Sequence, residues 1–139
     1  ITWQKTNPPP NLACRCFTHS TETILWAKKN DKKSRHFFDY QKMKEENGGK
    51  QMKDVWTGAL TKPSEKTEGK HPTQKPEYLL ERIVLASTEE GQTVLDPFCG
   101  SGTTGVEAVR LGRKFIGIDV SEEYLQISKK RLEKVEDGK

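Results

Sequence analysis

The sequence predicts an α/β chain: a partial parallel sheet built on a strand–helix–strand unit, with a basic, loop-rich insertion ahead of it. Three observations lead there. From residue 71 onward, apolar runs of strand length alternate with stretches of helical periodicity. A glycine-rich turn joins the first of those strands to the helix that follows. Before residue 71 this regularity is lost, and residues 28–70 are polar, basic and poorly periodic.

Taken in order, Ile1 to Gln4 and Thr21 to Ala27 read as strands. Within the second, Ile24-Leu25-Trp26-Ala27 is a continuous apolar run, the pattern of a strand covered on both faces. Pro8-Pro9-Pro10 forbids regular pairing between them and predicts an extended loop. Residues 28–70 hold the aromatic cluster His36-Phe37-Phe38 with Tyr40, the pair Gly48-Gly49 and a loop from Thr57 to Gly69. So polar a stretch buries little and is expected to lie on the surface as an insertion. Pro76 suits the first turn of a helix whose apolar face is Leu79, Leu80, Ile83, Val84 and Ala86. Thr93-Val94-Leu95 is a short strand ending at Asp96, and the glycine loop leads to a helix from Thr103 to Leu111, closed by Gly112. Lys114 to Val120 is the next strand, ending at Asp119. Ser121 caps the last helix, with Glu122 and Glu123 at its positive end and Leu125, Ser128, Leu132 and Val135 on one stripe. That order is a Rossmann-like βαβ crossover. One domain is expected, in three stretches: central strands at 1–27, the insertion at 28–70 and a ligand-binding region at 71–139.

Composition narrows the function classes. Of 139 residues, 32% are apolar and 32% charged, lean for a self-sufficient globule. No apolar run has the length to span a bilayer and no signal-peptide pattern opens the chain, so no membrane role is expected. Ile1-Thr2-Trp3 reads like the interior of a strand, which suggests that the natural polypeptide begins earlier. Cys14, Cys16 and Cys99 lack a second pair at zinc spacing and cannot form an even disulfide framework, so reduced thiols in a cytoplasmic protein and no metal are expected. Residues 1–70 carry 14 Lys and Arg against 8 Asp and Glu, whereas residues 71–139 carry 10 against 12. The most basic stretch, Lys28 to Lys53, has nine cations and four acids. It is either a face for a polyanion or a solvated surface.

Asp96-Pro97-Phe98-Cys99-Gly100-Ser101-Gly102-Thr103-Thr104-Gly105 carries the chemistry. A ligand at the carboxyl edge of the sheet must approach backbone here, and Gly100 and Gly102 remove the obstructing Cβ atoms. Asp119, at the end of the next strand, stands where a carboxylate accepts both hydroxyls of a ribose. A nucleoside derivative is implied, and three candidates compete. A phosphate-cradling loop needs a lysine after its glycines, and none follows. A dinucleotide fits Gly100-x-Gly102-x-x-Gly105, but a pyrophosphate gains nothing from Asp96 at the entrance. S-adenosylmethionine carries an ammonium group that Asp96 complements, and Phe98 adds apolar surface for it.

The run Asp96 to Thr104 resembles the cofactor motif of the DNA amino-methyltransferases, which modify adenine or cytosine at the exocyclic amino group. His71-Pro72-Thr73-Gln74-Lys75-Pro76, lying before the glycine loop, resembles the corresponding segment of the beta class of that family. Trp3-x-Lys5-x-Asn7-Pro8 and Phe17-Thr18-His19-Ser20-x-Glu22-Thr23-Ile24-Leu25-Trp26-Ala27 are similar to its central region. The resemblance covers most of the chain except residues 28–70, which correspond to the variable target-recognition stretch. It implies a partial methyltransferase sheet in which Asp96, Phe98, Gly100, Ser101, Gly102 and Thr103 line the S-adenosylmethionine pocket and Asp119 holds the ribose. Thr73, Gln74 and Lys75 would help hold the methionine carboxylate, while Lys28, Lys29, Lys32, Lys33 and Arg35 would contact DNA.

The family's catalytic motif is Asp, Asn or Ser, then two prolines and an aromatic; it accepts hydrogen bonds from the amino group and stacks on a flipped-out base. Asn7-Pro8-Pro9-Pro10 matches three positions but ends in a residue that has no flat ring to stack. The expectation is that no residue here is catalytic and that the motif lies N-terminal to Ile1, in the same polypeptide or a partner chain. The resemblance implies a prokaryotic restriction-modification enzyme acting on double-stranded DNA, with adenine before cytosine as target and a homodimer as one form. The alternatives are a non-catalytic subunit that binds S-adenosylmethionine and DNA, and a dinucleotide oxidoreductase fragment.

Overall fold

A computed structural model of the chain describes residues 1–29 and 35–138. Its strands are β1 (Thr2–Lys5), β2 (Thr21–Thr23), β3 (Val55–Gly58), β4 (Thr93–Asp96) and β5 (Lys114–Gly117). Its helices are α1 (Tyr40–Glu46), α2 (Glu77–Ser87), α3 (Thr103–Arg110) and α4 (Glu122–Asp137), with a single 3-10 turn at Pro63–Glu65.

The predicted βαβ unit is present. β4 and β5 are parallel, Val94 opposite Phe115 and Leu95 opposite Ile116, with α3 between them in sequence. α3 packs on both strands and is flanked by α2 and α4. Ser121 caps α4 as expected, its hydroxyl accepting from the Tyr124 N–H. β5 stops at Gly117 instead of running to Val120. The Ile118 N–H still donates to the Asp96 carbonyl, and the Ile118 carbonyl accepts from Cys99 N–H. Backbone bonding to the end of β4 and to the glycine loop thus continues one residue past β5.

A second sheet, in the order β2-β1-β3, pairs β1 antiparallel to β2 and parallel to β3. β3 corrects the reading of residues 28–70 as a surface insertion with a loop from Thr57. Val55-Trp56-Thr57 is a β-branched and aromatic run, and the parallel register sets Trp56 beside Trp3. Trp3, Trp56 and Leu79 of α2 form a buried cluster. The polar edge of each indole is satisfied: Trp3 Nε1 donates to the Tyr78 hydroxyl at 2.7 Å and Trp56 Nε1 to the Lys53 carbonyl at 2.9 Å. α1, also within that stretch, begins where the Asp39 carboxylate accepts from Lys42 N–H, and it buries Met43. A few apolar side chains in a polar sequence were enough to bring α1 and β3 into the core.

The second correction concerns Ile24-Leu25-Trp26-Ala27. β2 ends at Thr23, and Leu25 is 89% exposed. After the Ile24 N–H donates to the Ile1 carbonyl, the chain leaves the sheet, and Trp26 packs on His36 and Phe38. In this antiparallel register Thr2 faces Thr23 and Ile1 faces Ile24, so among the described residues none stands opposite Leu25 to Ala27 on the β1 side.

Two features position the site. α2 reaches the tryptophan cluster with Leu79 and packs along α3, so it joins the two sheets, which share no strand pairing among the described residues. Side chains alternate across β4 and β5: Phe115 lies against Gly105 of α3, while Leu95 and Ile116 stand on the opposite face, more than half exposed. Trp3→Ala is expected to lower the unfolding free energy by about 3–5 kcal/mol in urea denaturation. Leu25→Ala should change it by less than about 0.5 kcal/mol, and a larger loss would show that Leu25 is covered in solution.

Candidate functional site

β4 delivers Asp96 to the start of the turn. Its Oδ1 accepts from the Phe98 N–H at 3.1 Å and its Oδ2 from the Thr104 hydroxyl at 2.6 Å, tying the turn to the first residues of α3. Gly100 and Gly102 have φ of +52° and +76°, a region that side-chain-bearing residues seldom adopt. Space is closed as well: a Cβ on Gly102 would lie 2.1 Å from Ser128 Oγ of α4, and one on Gly100 would lie 2.9 Å from His71 Nε2.

Asp119 follows β5 and turns toward the same loop. Its Oδ2 accepts from the Gly100 N–H at 2.8 Å and its Oδ1 from the Ser121 N–H at 2.9 Å. Backbone donation from Ser121 and Gly100 holds this carboxyl below the ordinary aspartate range, so it is an anion at neutral pH. Between the acids sits Cys99, its thiol pushed up by burial and by the charges of Asp96 and Asp119. Two carboxylates therefore meet at one turn.

A cleft of about 170 Å³ opens beside the turn. Of the residues singled out in the sequence, Thr73, Gln74, Lys75, Asp96, Phe98, Gly100, Ser101 and Thr103 line it. Gly102 is packed against α4, and Asp119 holds the loop through Gly100, so neither is part of that lining. Phe98 is exposed, its ring projecting as an apolar surface at the rim. Lys75 is committed in part to Glu22, with Nζ 2.6 Å from its carboxylate. Gln74 is buried; its Nε2 donates to the Glu65 carbonyl at 2.7 Å, whereas its Oε1 has no hydrogen-bond partner. Gln74 thus brings one unpaired, solvent-inaccessible acceptor to the wall of the cleft.

Sequence reasoning passed over His71, Cys99 and Thr104, which also line the cleft. The His71 ring packs edge-on against Tyr124 at 4.2 Å between centroids. Its signal was its place at the head of the His71 to Pro76 segment, whose later members alone were singled out. Asn7 is structural: its Oδ1 accepts from the Leu60 N–H at 2.8 Å, so the proline-rich loop is tethered beside β3. Lys28, Lys29 and Arg35 are exposed on the basic stretch, and Lys32 and Lys33 lie outside the described residues. No cluster of His, Cys, Asp or Glu suited to a metal occurs among the described residues, and no described helix is long and apolar enough to cross a membrane.

Glu107 of α3 is fully buried between the helices; its Oε1 accepts from Arg110 at 2.7 Å and its Oε2 has no partner. Burial pushes its carboxyl up to about 7.

Comparison with known proteins places this geometry. Residues 1–130 match the DNA methylase family. The type II methyltransferase M2.LlaDCHI of Lactococcus lactis subsp. cremoris is 77% identical over 134 residues, and M2.DpnII of Streptococcus pneumoniae is 76% identical over 133; each match covers 96% of this chain and 50% of the relative. The crystal structure of an M1.HpyAVI–SAM complex superposes with a TM-score of 0.76 at 39% identity, over 95% of this chain and 60% of that one. The cytosine-N4-specific PvuII DNA methyltransferase, 21% identical, shares the fold with a TM-score of 0.71 across 99% of this chain and 54% of its own. The chain belongs to the DNA methylase family. It spans about half the length of the curated relatives it matches.

Gly102→Ala is expected to destabilise the protein by about 1–3 kcal/mol, read by denaturant unfolding, because it adds both φ strain and a clash with Ser128. Glu107 binds its proton more readily folded (about 7) than unfolded (near 4.5), so it withdraws stability as pH rises between those values. From pH 5 to pH 8 the stability of Glu107→Gln relative to the parent should therefore shift in the variant's favour by on the order of 2–3 kcal/mol. Parallel pH profiles would refute the raised carboxyl.

Proposed function

We infer that this chain is the S-adenosylmethionine-binding and DNA-contacting half of a restriction-modification DNA amino-methyltransferase. The observation that carries the reading is the meeting of Asp96 and Asp119 at one glycine turn, beside a cleft holding the unpartnered Gln74 Oε1. These residues fit the cofactor. Asp96 accepts from its ammonium, the unpaired Gln74 oxygen stands in the wall beside it, and Thr73 and Lys75 face its carboxylate. The second lone pairs of Asp119 accept the ribose hydroxyls, while its bond to the Gly100 N–H fixes the carboxylate at the turn. When bound, S-adenosylmethionine supplies an electrophilic methyl group on a sulfonium.

The chain's own share of the reaction is to bind and orient that donor. The proline-aromatic motif that engages the target amino group belongs to the other half of the enzyme, since Asn7 is already committed to Leu60. The open apolar face of Leu95 and Ile116, with Ile118 beyond it, supports a further structural layer from that half, as parallel sheets are covered on both faces. The substrate is double-stranded DNA with its target base flipped out, adenine in this reading. Lys28, Lys29, Lys32, Lys33 and Arg35 contact its phosphates. The protein acts in the bacterial cytoplasm, as one copy or as a homodimer.

Calorimetric titration should show S-adenosylmethionine binding more tightly than NAD; the reverse order would return the chain to the dinucleotide class. Asp119→Asn keeps the side-chain shape and should weaken S-adenosylmethionine by at least about tenfold, or about 1.4 kcal/mol. With the motif-bearing half present, radiolabelled methyl groups should enter DNA and appear on digestion as N6-methyladenine; label in N4-methylcytosine would overturn the choice of base. Replacing both Lys28 and Lys29 with Ala should reduce the slope of log K against log salt by roughly 1.8. An unchanged slope would move the DNA surface elsewhere.

A further inference from the structure

Arg131 is 6% exposed on α4, an unusual place for a guanidinium unless every donor has a task. Its Nη1 donates to the Ser101 carbonyl at 2.8 Å and to the Thr103 hydroxyl at 3.0 Å, and its Nη2 to Glu77 Oε1 at 3.0 Å. One planar fork thus reaches the glycine loop, the first residue of α3 and the first residue of α2. Arg131 does not line the cleft; with Glu77 and Arg110 it borders a separate polar groove of about 450 Å³. It acts on the cleft through the loop.

The neighbours of this fork hold it in one orientation. Glu77 accepts from Arg131 with Oε1 and from Arg110 with Oε2, and Arg110 also bonds the buried Glu107. The Glu77 N–H is tied to Glu65 Oε2 at 2.9 Å, which fixes the start of α2 directly after Gln74, Lys75 and Pro76. One helical turn before Arg131, Ser128 fills the space that a side chain at position 102 would need. α4 therefore presents a stop and a clamp to one loop, and through Glu77 the clamp also sets the distance between the loop and residues 73–75.

We propose that Arg131, held by Glu77, is a positioning residue that preforms the methyl-donor pocket by pinning the Ser101 to Thr103 turn against α4. The proposal rests on the donor reading above and adds to it a residue outside the cleft. A loop with two left-handed glycines has many accessible conformations, and pinning it in advance reduces the ordering required when the ligand binds. The Ser101 carbonyl is buried with its residue, so loss of the guanidinium leaves it without the donor it has here.

The test uses the intact methylase that carries this chain. Arg131→Lys keeps the charge, but a single ammonium lacks the fork to serve Ser101, Thr103 and Glu77 together. Without ligand, amide hydrogen exchange across residues 99–104 should quicken by at least about tenfold, while α1 keeps its rates. The KM for S-adenosylmethionine should rise by at least about tenfold with kcat changed less than about threefold, the split expected when binding and not chemistry is affected. Glu77→Gln should move both readouts in the same direction by a smaller factor. Unchanged loop exchange in folded Arg131→Lys overturns the proposal; if that variant fails to fold, unchanged loop exchange in Glu77→Gln does the same. Faster loop exchange in a protein that prefers NAD supports the clamp and removes only the identity of the donor.

Discussion

The turn between β4 and α3 constrains everything around it. It bends through two glycines in the left-handed region, and neither has room for a side chain: α4 closes one and His71 the other. Such a turn is not a local minimum that its own residues enforce; it is held by what surrounds it. Asp96 bonds it at its entrance, Asp119 takes the Gly100 N–H, and Arg131 takes the Ser101 carbonyl. Backbone N–H groups of Ser121 and Gly100 hold the Asp119 carboxyl below the ordinary aspartate range, so the turn carries an anion that its own backbone stabilises.

This explains the helical layer. α4 packs on the turn through Ser128 and Arg131, and α2 enters the same network through Glu77. α2 also carries Leu79 into the tryptophan cluster, so the cleft and the second sheet share one rigid element. The segment His71 to Pro76 lies at the head of that helix, which brings Thr73, Gln74 and Lys75 to the glycine loop although more than twenty residues separate them.

Charge is divided in keeping with this layout. The exposed basic residues Lys28, Lys29 and Arg35 belong to the first half of the chain, whereas the acids of the glycine turn belong to the second. The basic and acidic clusters thus lie in separate parts of the sequence.

The βαβ unit, both strand-ending acids and the caps of the last helix were legible in the sequence because each rests on short-range chemistry: apolar period, glycine conformation and side-chain capping. The resemblance to the methylases was legible for the same reason, since its motifs are contiguous. β3 and α1 were not, because Trp56 and Met43 are single apolar residues in a polar stretch, and only pairing with β1 and packing on α2 gave them a core to enter. The apolar run Ile24 to Ala27 leaves the sheet after Ile24, because among the described residues the antiparallel register of β1 offers it no partner past Ile1. Residue types determined that two carboxylates flank a glycine loop. That both face the same turn, that Gln74 keeps an open acceptor beside it, and that a buried arginine from the far end of the chain secures it were decided by tertiary structure, because hydrogen bonds between distant residues depend on packing that no local pattern encodes.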